Sequence, residues 1–134
     1  MSAKVFFDSN IILYALTTDV RKAATTETLL SFGGTISVQV LNELVSVSLK
    51  KFKLPLQTVQ ATLTALRTTL DVVPVTIAVH ERGLDLIGKY KFSPYDAMIV
   101  AAAQLAGCKL LYSEDMHDGQ IIDGLTIRNP YKTT

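Results

Sequence analysis

The sequence predicts a three-layer α/β fold, with a central, mainly parallel five-stranded sheet between layers of helices. Short apolar, β-rich runs alternate with longer segments of helical pattern, and glycine, proline and capping residues separate them. The 134 residues suit one ordinary domain, and no repeat or low-complexity linker divides them. We therefore expect residues 1–134 to form a single domain.

The first strand and helix are marked by a change of residue type at Asp8. Residues 4–7 are rich in β-forming side chains, whereas Asp8, Ser9 and Asn10 are residue types favoured at helix N-caps. The apolar stretch at residues 11–16 then predicts a helix. The chain thus passes from a strand to a helix at an acidic residue.

Glycines and apolar spacing place the next three elements. Residues 21–32 have a helical pattern that ends at Gly33-Gly34, and residues 35–38 alternate as a second strand. Apolar positions between residues 40 and 52 predict a mostly buried helix. Its end carries cations, which suit a helix C-terminus: Lys50, Lys51 and Lys53.

Two prolines organise the middle of the chain. Pro55 opens a predicted helix that runs to about Thr69. Residues 72–75 predict a short strand, and Pro74 within it cannot donate a backbone hydrogen bond, which favours the edge of the sheet. Residues 77–90 then have the pattern of a helix.

A strong helix start follows at Ser93-Pro94-Tyr95-Asp96. It has a capping serine, a proline at the first helical position and an acid three residues after the cap. The helix continues to Gly107 and is apolar on nearly all sides, so we expect it to lie buried against the sheet. Residues 109–112 and 125–128 predict the last two strands.

Four acidic residues are expected to meet at one edge of this sheet, because sites in parallel sheets form beyond the carboxyl ends of the strands. Asp8 follows the first predicted strand, and Asp115 follows the strand that ends at Tyr112. Glu43 and Asp96 lie in the first turns of two predicted helices. Converging carboxylates repel each other unless a cation joins them, and oxygen-only ligation favours Mg²⁺ or Mn²⁺. Phosphoryl transfer uses such a site, because the metal activates a water for in-line attack.

Each acid also has a purely structural explanation. Asp8 and Asp96 fit capping positions, and the helix dipole favours Glu43 in a first turn. Asp115 belongs to a polar run whose composition suits a surface turn. Their joint placement at strand ends and helix starts favours a shared site over four separate structural roles.

Four segments carry a family resemblance: residues 5–13, 40–44, 96–103 with Gly107, and 110–115. They contain, in order, an early Asp, a mid-chain Glu, an Asp before a small-residue helix, and a late Ser-x-Asp. With these segments, nearly the whole chain resembles the PIN-domain ribonucleases, in particular the VapC-like toxins of type II toxin–antitoxin pairs. The resemblance implies a PIN-like fold with a five-stranded parallel sheet flanked by helices.

The same resemblance implies an Mg²⁺- or Mn²⁺-dependent endoribonuclease, in which metal-activated water cleaves RNA to leave a 5′-phosphate and a 3′-hydroxyl. It further implies an RNA substrate, inhibition by an antitoxin inserted at the acidic cleft, and a homodimer. The catalytic and metal-binding quartet would be Asp8, Glu43, Asp96 and Asp115. Asn10 and Ser113 match supporting positions. Glu114 and Asp118 flank Asp115, so which late carboxylate approaches the metal is left open.

The net charge of the chain has to be considered separately from the four acids of the predicted site. Thirteen basic residues against 12 acidic ones give a net charge of +1, which alone indicates no polyanionic partner. Without the four quartet acids, 13 basic residues face 8 acidic ones, a remainder of +5 that suits RNA phosphates. Candidates for contacts with the RNA backbone are Arg21, Lys22, Lys50, Lys51, Lys53, Lys89 and Lys91.

Composition also bears on partners and location. The chain is 49% hydrophobic and only 19% charged, which indicates apolar surface covered by another subunit or a partner. The single cysteine, Cys108, suits a reducing compartment. No segment reaches the roughly 18 uncharged apolar residues of a membrane span. We therefore expect a cytoplasmic protein with no membrane partner.

Two other functions remain open. A PIN-like module that binds RNA or a protein without catalysis would use the same acids only as caps. A haloacid-dehalogenase-like phosphatase would use Asp8 as a nucleophile, although Asn10 stands where that family commonly has a second Asp. Residues 83–90 nearly spell a phosphate-binding loop, but Tyr90 replaces the required Ser or Thr, so we predict a helix there.

Overall fold

The sheet predicted from the sequence is present in the computed structural model, which describes residues 4–132. Its strands are β1 (Val5–Phe7), β2 (Thr35–Ser37), β3 (Asp71–Val73), β4 (Leu110–Tyr112), β5 (Ile121–Ile122) and β6 (Leu125–Arg128). They lie in the order β3-β2-β1-β4-β6-β5. All neighbouring pairs are parallel except β5 and β6, which are antiparallel.

Helices connect the strands and flank the sheet. The short α1 continues into a 3₁₀ turn at Tyr14–Leu16. The helices are α1 (Ser9–Leu13), α2 (Val20–Ser31), α3 (Val38–Lys50), α4 (Leu56–Thr69), α5 (Ile77–Tyr90) and α6 (Pro94–Leu105). Among residues 4–132, no helix is both long and apolar enough to cross a bilayer.

The sixth strand, β5, is the main departure from the five strands expected. It pairs only two residues with β6, with Ile122 opposite Leu125, across a loop formed by Asp123 and Gly124. Both loop residues have positive φ, 46° and 89°, as a tight hairpin with the right-handed strand twist requires. The Asp-Gly pair was therefore the available signal, and the run before it was too short to show strand periodicity.

Several boundaries shift by one or two residues because caps, and not apolar spacing, fix them. The second strand ends at Ser37 because the Ser37 hydroxyl accepts from the backbone N–H of Val40 and starts α3 early. Pro55 is the N-cap of α4 and not its first helical residue. The strand predicted at residues 72–75 is Asp71–Val73, which leaves Pro74 outside it, and β3 does form an edge of the sheet.

The core fixes β1 and β4 at the centre of the molecule. Phe6 and Leu111 are paired neighbours on these strands, and both are fully buried. Helix α6 is buried along most of its length, as its small apolar residues predicted. The chain leaves β1 toward β2 and β3 on one side and returns to β4 on the other, so the sheet's topological switch point lies between β1 and β4. Ligands in open α/β sheets bind just outside such a point.

Candidate active site

Asp8 lies at the carboxyl end of β1, beside the end of β4. Its backbone N–H donates to the Tyr112 carbonyl oxygen at 3.0 Å, and its side chain is only 4% exposed. One carboxylate oxygen accepts from the Ser9 backbone N–H at 2.7 Å, and the other accepts from the Ser113 hydroxyl at 2.9 Å. Asp8 therefore caps α1, and its second oxygen lies at the switch point.

Burial sets the acidity of Asp8. Loss of water raises the pKa of this carboxyl from 3.8 to about 6, against the lowering effect of hydrogen bonds from Ser113 and Ser9. The charges of Glu43 and Asp96 raise the pKa further. At neutral pH the carboxylate therefore carries its charge in an unfavourable environment, which a nearby cation would relieve.

Glu43 lies on α3 and is linked to Asp8 through the Ser9 hydroxyl, a neutral hydrogen-bond donor. The Ser9 hydroxyl donates to one oxygen of Glu43 at 3.0 Å and lies 3.5 Å from the Asp8 carboxylate. The Gln39 amide nitrogen lies 3.4 Å from the other Glu43 oxygen and donates to the Tyr95 carbonyl oxygen at 3.1 Å. These bonds tie the start of α1, the first half of α3 and the start of α6 together around the site.

Asn10 joins Asp8 to Asp115. Its amide nitrogen donates to Asp8 at 3.2 Å and to Asp115 at 3.1 Å, while its amide oxygen accepts from the Glu114 backbone N–H at 3.1 Å. Ser113 is fully buried between them, and its hydroxyl also accepts from the Met116 backbone N–H at 3.4 Å. The two residues expected to support the site are thus in contact with its acids.

Asp96 enters from the first turn of α6. The Ser93 hydroxyl caps this helix by accepting from the Asp96 backbone N–H at 3.3 Å. Burial raises the pKa of the Asp96 carboxyl, the Ser93 hydroxyl lowers it, and the charge of Asp115 raises it. Electrostatic coupling to Asp8 and to Asp115 therefore links this acid to the rest of the cluster.

The three acidic residues that follow β4, Glu114, Asp115 and Asp118, have different hydrogen-bond partners. Glu114 accepts hydrogen bonds from Lys22, at 2.5 Å, and from the Tyr14 hydroxyl. Burial alone would raise the pKa of Glu114, but these two bonds outweigh it and hold the pKa below its ordinary value. Asp118 accepts from the Asn129 backbone N–H at 2.8 Å. Asp115 is the late acid that Asn10 connects to Asp8.

The chemistry of this cluster fits a hard divalent cation. All its donors are oxygens, as Mg²⁺ and Mn²⁺ prefer, and a buried carboxylate lies beside like charges. Within residues 4–132, however, no three His, Cys, Asp or Glu side chains have the spacing to hold a metal ion directly. The Ser9 hydroxyl bridges Asp8 and Glu43, and the Asn10 amide bridges Asp8 and Asp115. Mg²⁺ tolerates this spacing because it binds through one or two carboxylates and retains several waters.

Sequence reasoning missed the roles of Ser9, Gln39 and Lys22. Ser9 follows Asp8 directly and could have been selected as a polar residue at the strand end, but its contact with Glu43 depends on how α1 packs beside α3. Lys22 was a candidate for RNA contacts, and its charge is already paired with Glu114. The helix predicted at residues 83–90 forms as the second half of α5.

Fold and site together define an α/β protein whose acidic residues gather at the switch point of a mainly parallel sheet. The PIN domain family model matches residues 5–117, so the chain belongs to the PIN domain family. Among curated protein sequences, none matches the chain significantly.

Solved structures agree with this fold along nearly the whole chain. A toxin-antitoxin complex from Klebsiella pneumoniae contains a chain with 28% identity and a TM-score of 0.73, covering 97% of this chain and 100% of its own. VapC20 from Mycobacterium tuberculosis, a sarcin-ricin loop cleaving toxin, has 18% identity and a TM-score of 0.69, covering 84% of this chain and 90% of its own. VapBC2 from Rickettsia felis, bound to promoter DNA, has 19% identity and a TM-score of 0.67, covering 92% of this chain and 96% of its own.

Proposed function

We propose that this PIN-domain protein is a metal-dependent endoribonuclease and the toxin of a type II toxin–antitoxin pair. The observation that carries the proposal is the connected acidic site: Asp8 is buried at the switch point, and Asn10 bridges it to Asp115. The relatives support the biological role, since they include a toxin that cleaves the sarcin-ricin loop and several toxin–antitoxin complexes.

In this proposal, Mg²⁺ or Mn²⁺ would be held by Asp8 and Asp96, with Glu43 and Asp115 beside them. The bound ion supplies Lewis-acid stabilisation of the phosphodiester and a nucleophilic water at neutral pH. The protein side chains hold the oxygens in place: Ser9 and Ser113 each donate to Asp8, and Asn10 orients both Asp8 and Asp115. Such outer contacts fix ligand direction and tune metal affinity.

The nonenzymatic alternative has one observation in its favour, which is that Ser9 and Asn10 already occupy the spaces between the carboxylates. A module that only binds RNA or protein would keep these bonds with no metal. The phosphatase alternative would use Asp8 as a nucleophile, yet Asn10 stands where that family commonly has a second Asp. We therefore favour metal-dependent hydrolysis.

An antitoxin partner is proposed on the relatives and on the surface next to Glu43. A groove of about 680 Å³ lies there, with a largely apolar lining. It is formed by the N-terminal parts of α3, α5 and α6 and by the segment before α5, and its lining includes Val38, Val75, Tyr95 and Met98. A peptide bound in this groove would lie next to the acids and would obstruct RNA.

A homodimer and a cytoplasmic location are part of the same proposal. Large apolar side chains are exposed on several helices or directly after them, which agrees with a surface covered by another copy: Val20, Phe32, Leu56, Ile77 and Leu105. Size-exclusion chromatography with light scattering tests the dimer directly.

A cleavage assay tests the activity. Purified protein is incubated with a mixed RNA substrate in Mg²⁺ or Mn²⁺, with EDTA as the metal-free control. We expect cleavage only with metal, and we expect Asp8→Asn and Asp96→Asn each to reduce it by roughly 100-fold or more while the proteins stay folded. Asp85→Asn, which removes one exposed acid from α5, is the matched control and should retain full activity. Equal cleavage by all variants would disprove the enzymatic role, and hydrolysis of a phosphomonoester without RNA cleavage would support the phosphatase.

A further inference from the structure

A cluster of charged and aromatic side chains lies next to the acids, and the proposed reaction does not yet use it. The Lys22 ammonium is 2.5 Å from Glu114 Oε2, and the Tyr14 hydroxyl donates to Glu114 Oε1, so both carboxylate oxygens are bound. Lys22 also lies 4.5 Å from the centre of the Tyr14 ring and 5.2 Å from that of Tyr131. These four residues, Lys22, Glu114, Tyr14 and Tyr131, are referred to below as the clamp.

The clamp joins parts of the chain that are distant in sequence. Lys22 belongs to α2, Tyr14 to the 3₁₀ turn, and Glu114 to the loop after β4. Tyr131 packs edge-on against Tyr14, with ring centres 5.0 Å apart, and its hydroxyl is 2.6 Å from that of Thr26. Partly exposed ion pairs contribute little to the free energy of unfolding. The importance of the clamp therefore lies in where it holds Glu114.

The clamp connects to the acids through one peptide group. The backbone N–H of Glu114 donates to the amide oxygen of Asn10 at 3.1 Å. An amide whose oxygen is held by a donor must direct its nitrogen the other way, and here that nitrogen faces Asp8 and Asp115. The orientation of Asn10, and with it the spacing of two acids, therefore depends on where the Glu114 backbone lies.

We propose that Lys22 is a positioning residue for the active site, because it holds the Glu114 side chain and thereby fixes the backbone that orients Asn10 between Asp8 and Asp115. The inference rests on the proposed metal-dependent function for its catalytic consequence. Its structural part, the orientation of Asn10, does not depend on catalysis.

Kinetics and metal binding test the consequence. Lys22→Met keeps an unbranched side chain of similar length but removes the ammonium group and its charge. We expect kcat for RNA cleavage and the affinity for Mn²⁺, measured by calorimetry, each to fall by about tenfold, with KM changed by less than about twofold. Lys22→Arg should restore most of both. Arg67→Met removes an exposed cation from α4 and should change neither.

A double variant tests whether Lys22 acts through Glu114. Adding Glu114→Gln to Lys22→Met should cause no further loss, since both changes release the same contact. Additive losses would contradict the proposal. So would an increase confined to KM with a smaller salt dependence, because that result identifies Lys22 as a residue that contacts the RNA backbone.

The side-chain amide signals of Asn10 provide a readout without catalysis. They are assigned by their loss in Asn10→Ser, and they should shift in Lys22→Met and stay unchanged in Arg67→Met. Unchanged Asn10 signals in Lys22→Met overturn the proposal. If these signals shift but the wild-type protein neither binds Mn²⁺ nor cleaves RNA, the positioning role is supported and the proposed enzymatic function is wrong.

Discussion

Asp8 combines two roles that the sequence presents as alternatives. It caps α1 with one oxygen and directs the other toward Ser113 and Asn10 at the switch point. A short polar residue between a strand and a helix is placed by the cap itself, so the structural role fixes the position that the chemical role needs. The helix N-terminus also favours a negative charge there.

The raised pKa of Asp8 makes stability depend on pH. The pKa of the Asp8 carboxyl is 3.8 in the unfolded chain and about 6 in the fold. The native state therefore binds this proton more tightly than the unfolded state does. The contribution of Asp8 to the stability of the metal-free protein therefore falls as pH rises from about 4 to about 6 and is level above, with a total effect on the order of 3 kcal/mol.

Asp8→Asn should remove this pH dependence. We expect the metal-free variant to gain stability relative to the wild type between pH 4 and pH 6, with the gain constant above, as measured by urea unfolding at several pH values. Addition of Mg²⁺ should stabilise the wild type more than the variant. A stability difference that does not vary with pH would show that burial of this charge is not costly.

At the scale of elements, α5 and α6 illustrate how sequence patterns predict helices but not their contacts. Gly83 is buried on α5, and a Cβ built there would lie 2.4 Å from the Met98 sulfur on α6. The glycine that made residues 83–90 resemble a phosphate-binding loop thus allows two helices to approach closely. Gly88, five residues later on the same helix, faces open space.

These two glycines offer a matched pair of substitutions. Gly88→Ala should stabilise the protein by about 0.5–1 kcal/mol, because alanine is the better helix former and meets nothing. Gly83→Ala has the same intrinsic gain but forces Met98 to move, so we expect it to be at least about 1 kcal/mol less stable than Gly88→Ala. Thermal and urea unfolding measure both. Equal stabilisation by the two variants would show that Met98 yields without cost.

The elements that could be predicted are those marked by local signals. The caps at Asp8 and Ser93 and the run of small residues in α6 are visible in sequence, so the strand–helix alternation followed, whereas the cap at Ser37 was assigned to the preceding strand. The two-residue β5 lacks any periodicity, although its Asp-Gly turn is a hairpin signal. Contacts such as Ser9 with Glu43 or Lys22 with Glu114 depend on which elements become neighbours, and sequence spacing does not contain that information.

At the scale of the whole molecule, the small net charge conceals a division between an acidic centre and a basic remainder. Of 12 acidic residues, four are the proposed site acids, and 13 basic residues remain outside them. Lys22 is already paired with Glu114, so it adds little to the field that an RNA would meet. The cations that matter for RNA binding are those that lie on the same side as the acids.

Lys50 is a cation that helix geometry places on the same side as Glu43. It follows Glu43 by seven residues on α3, about two helical turns, and therefore lies on the same face roughly 10 Å away. Binding of single-stranded RNA is measured with the Asp96→Asn variant at several salt concentrations and fixed Mg²⁺. Each neutralised phosphate contributes a slope of about −0.7 to log K against log salt.

We expect Lys50→Gln to make this slope less negative by about 0.7 and to weaken binding to different RNA sequences by similar factors, because a phosphate contact carries no base information. Arg67→Gln changes the net charge by the same amount on α4 and should leave the slope unchanged. If both variants change the slope equally, the overall charge of the protein, and not a contact near Glu43, governs binding. If neither does, RNA approaches the acids from another side, and the assignment of this face of α3 to RNA is wrong.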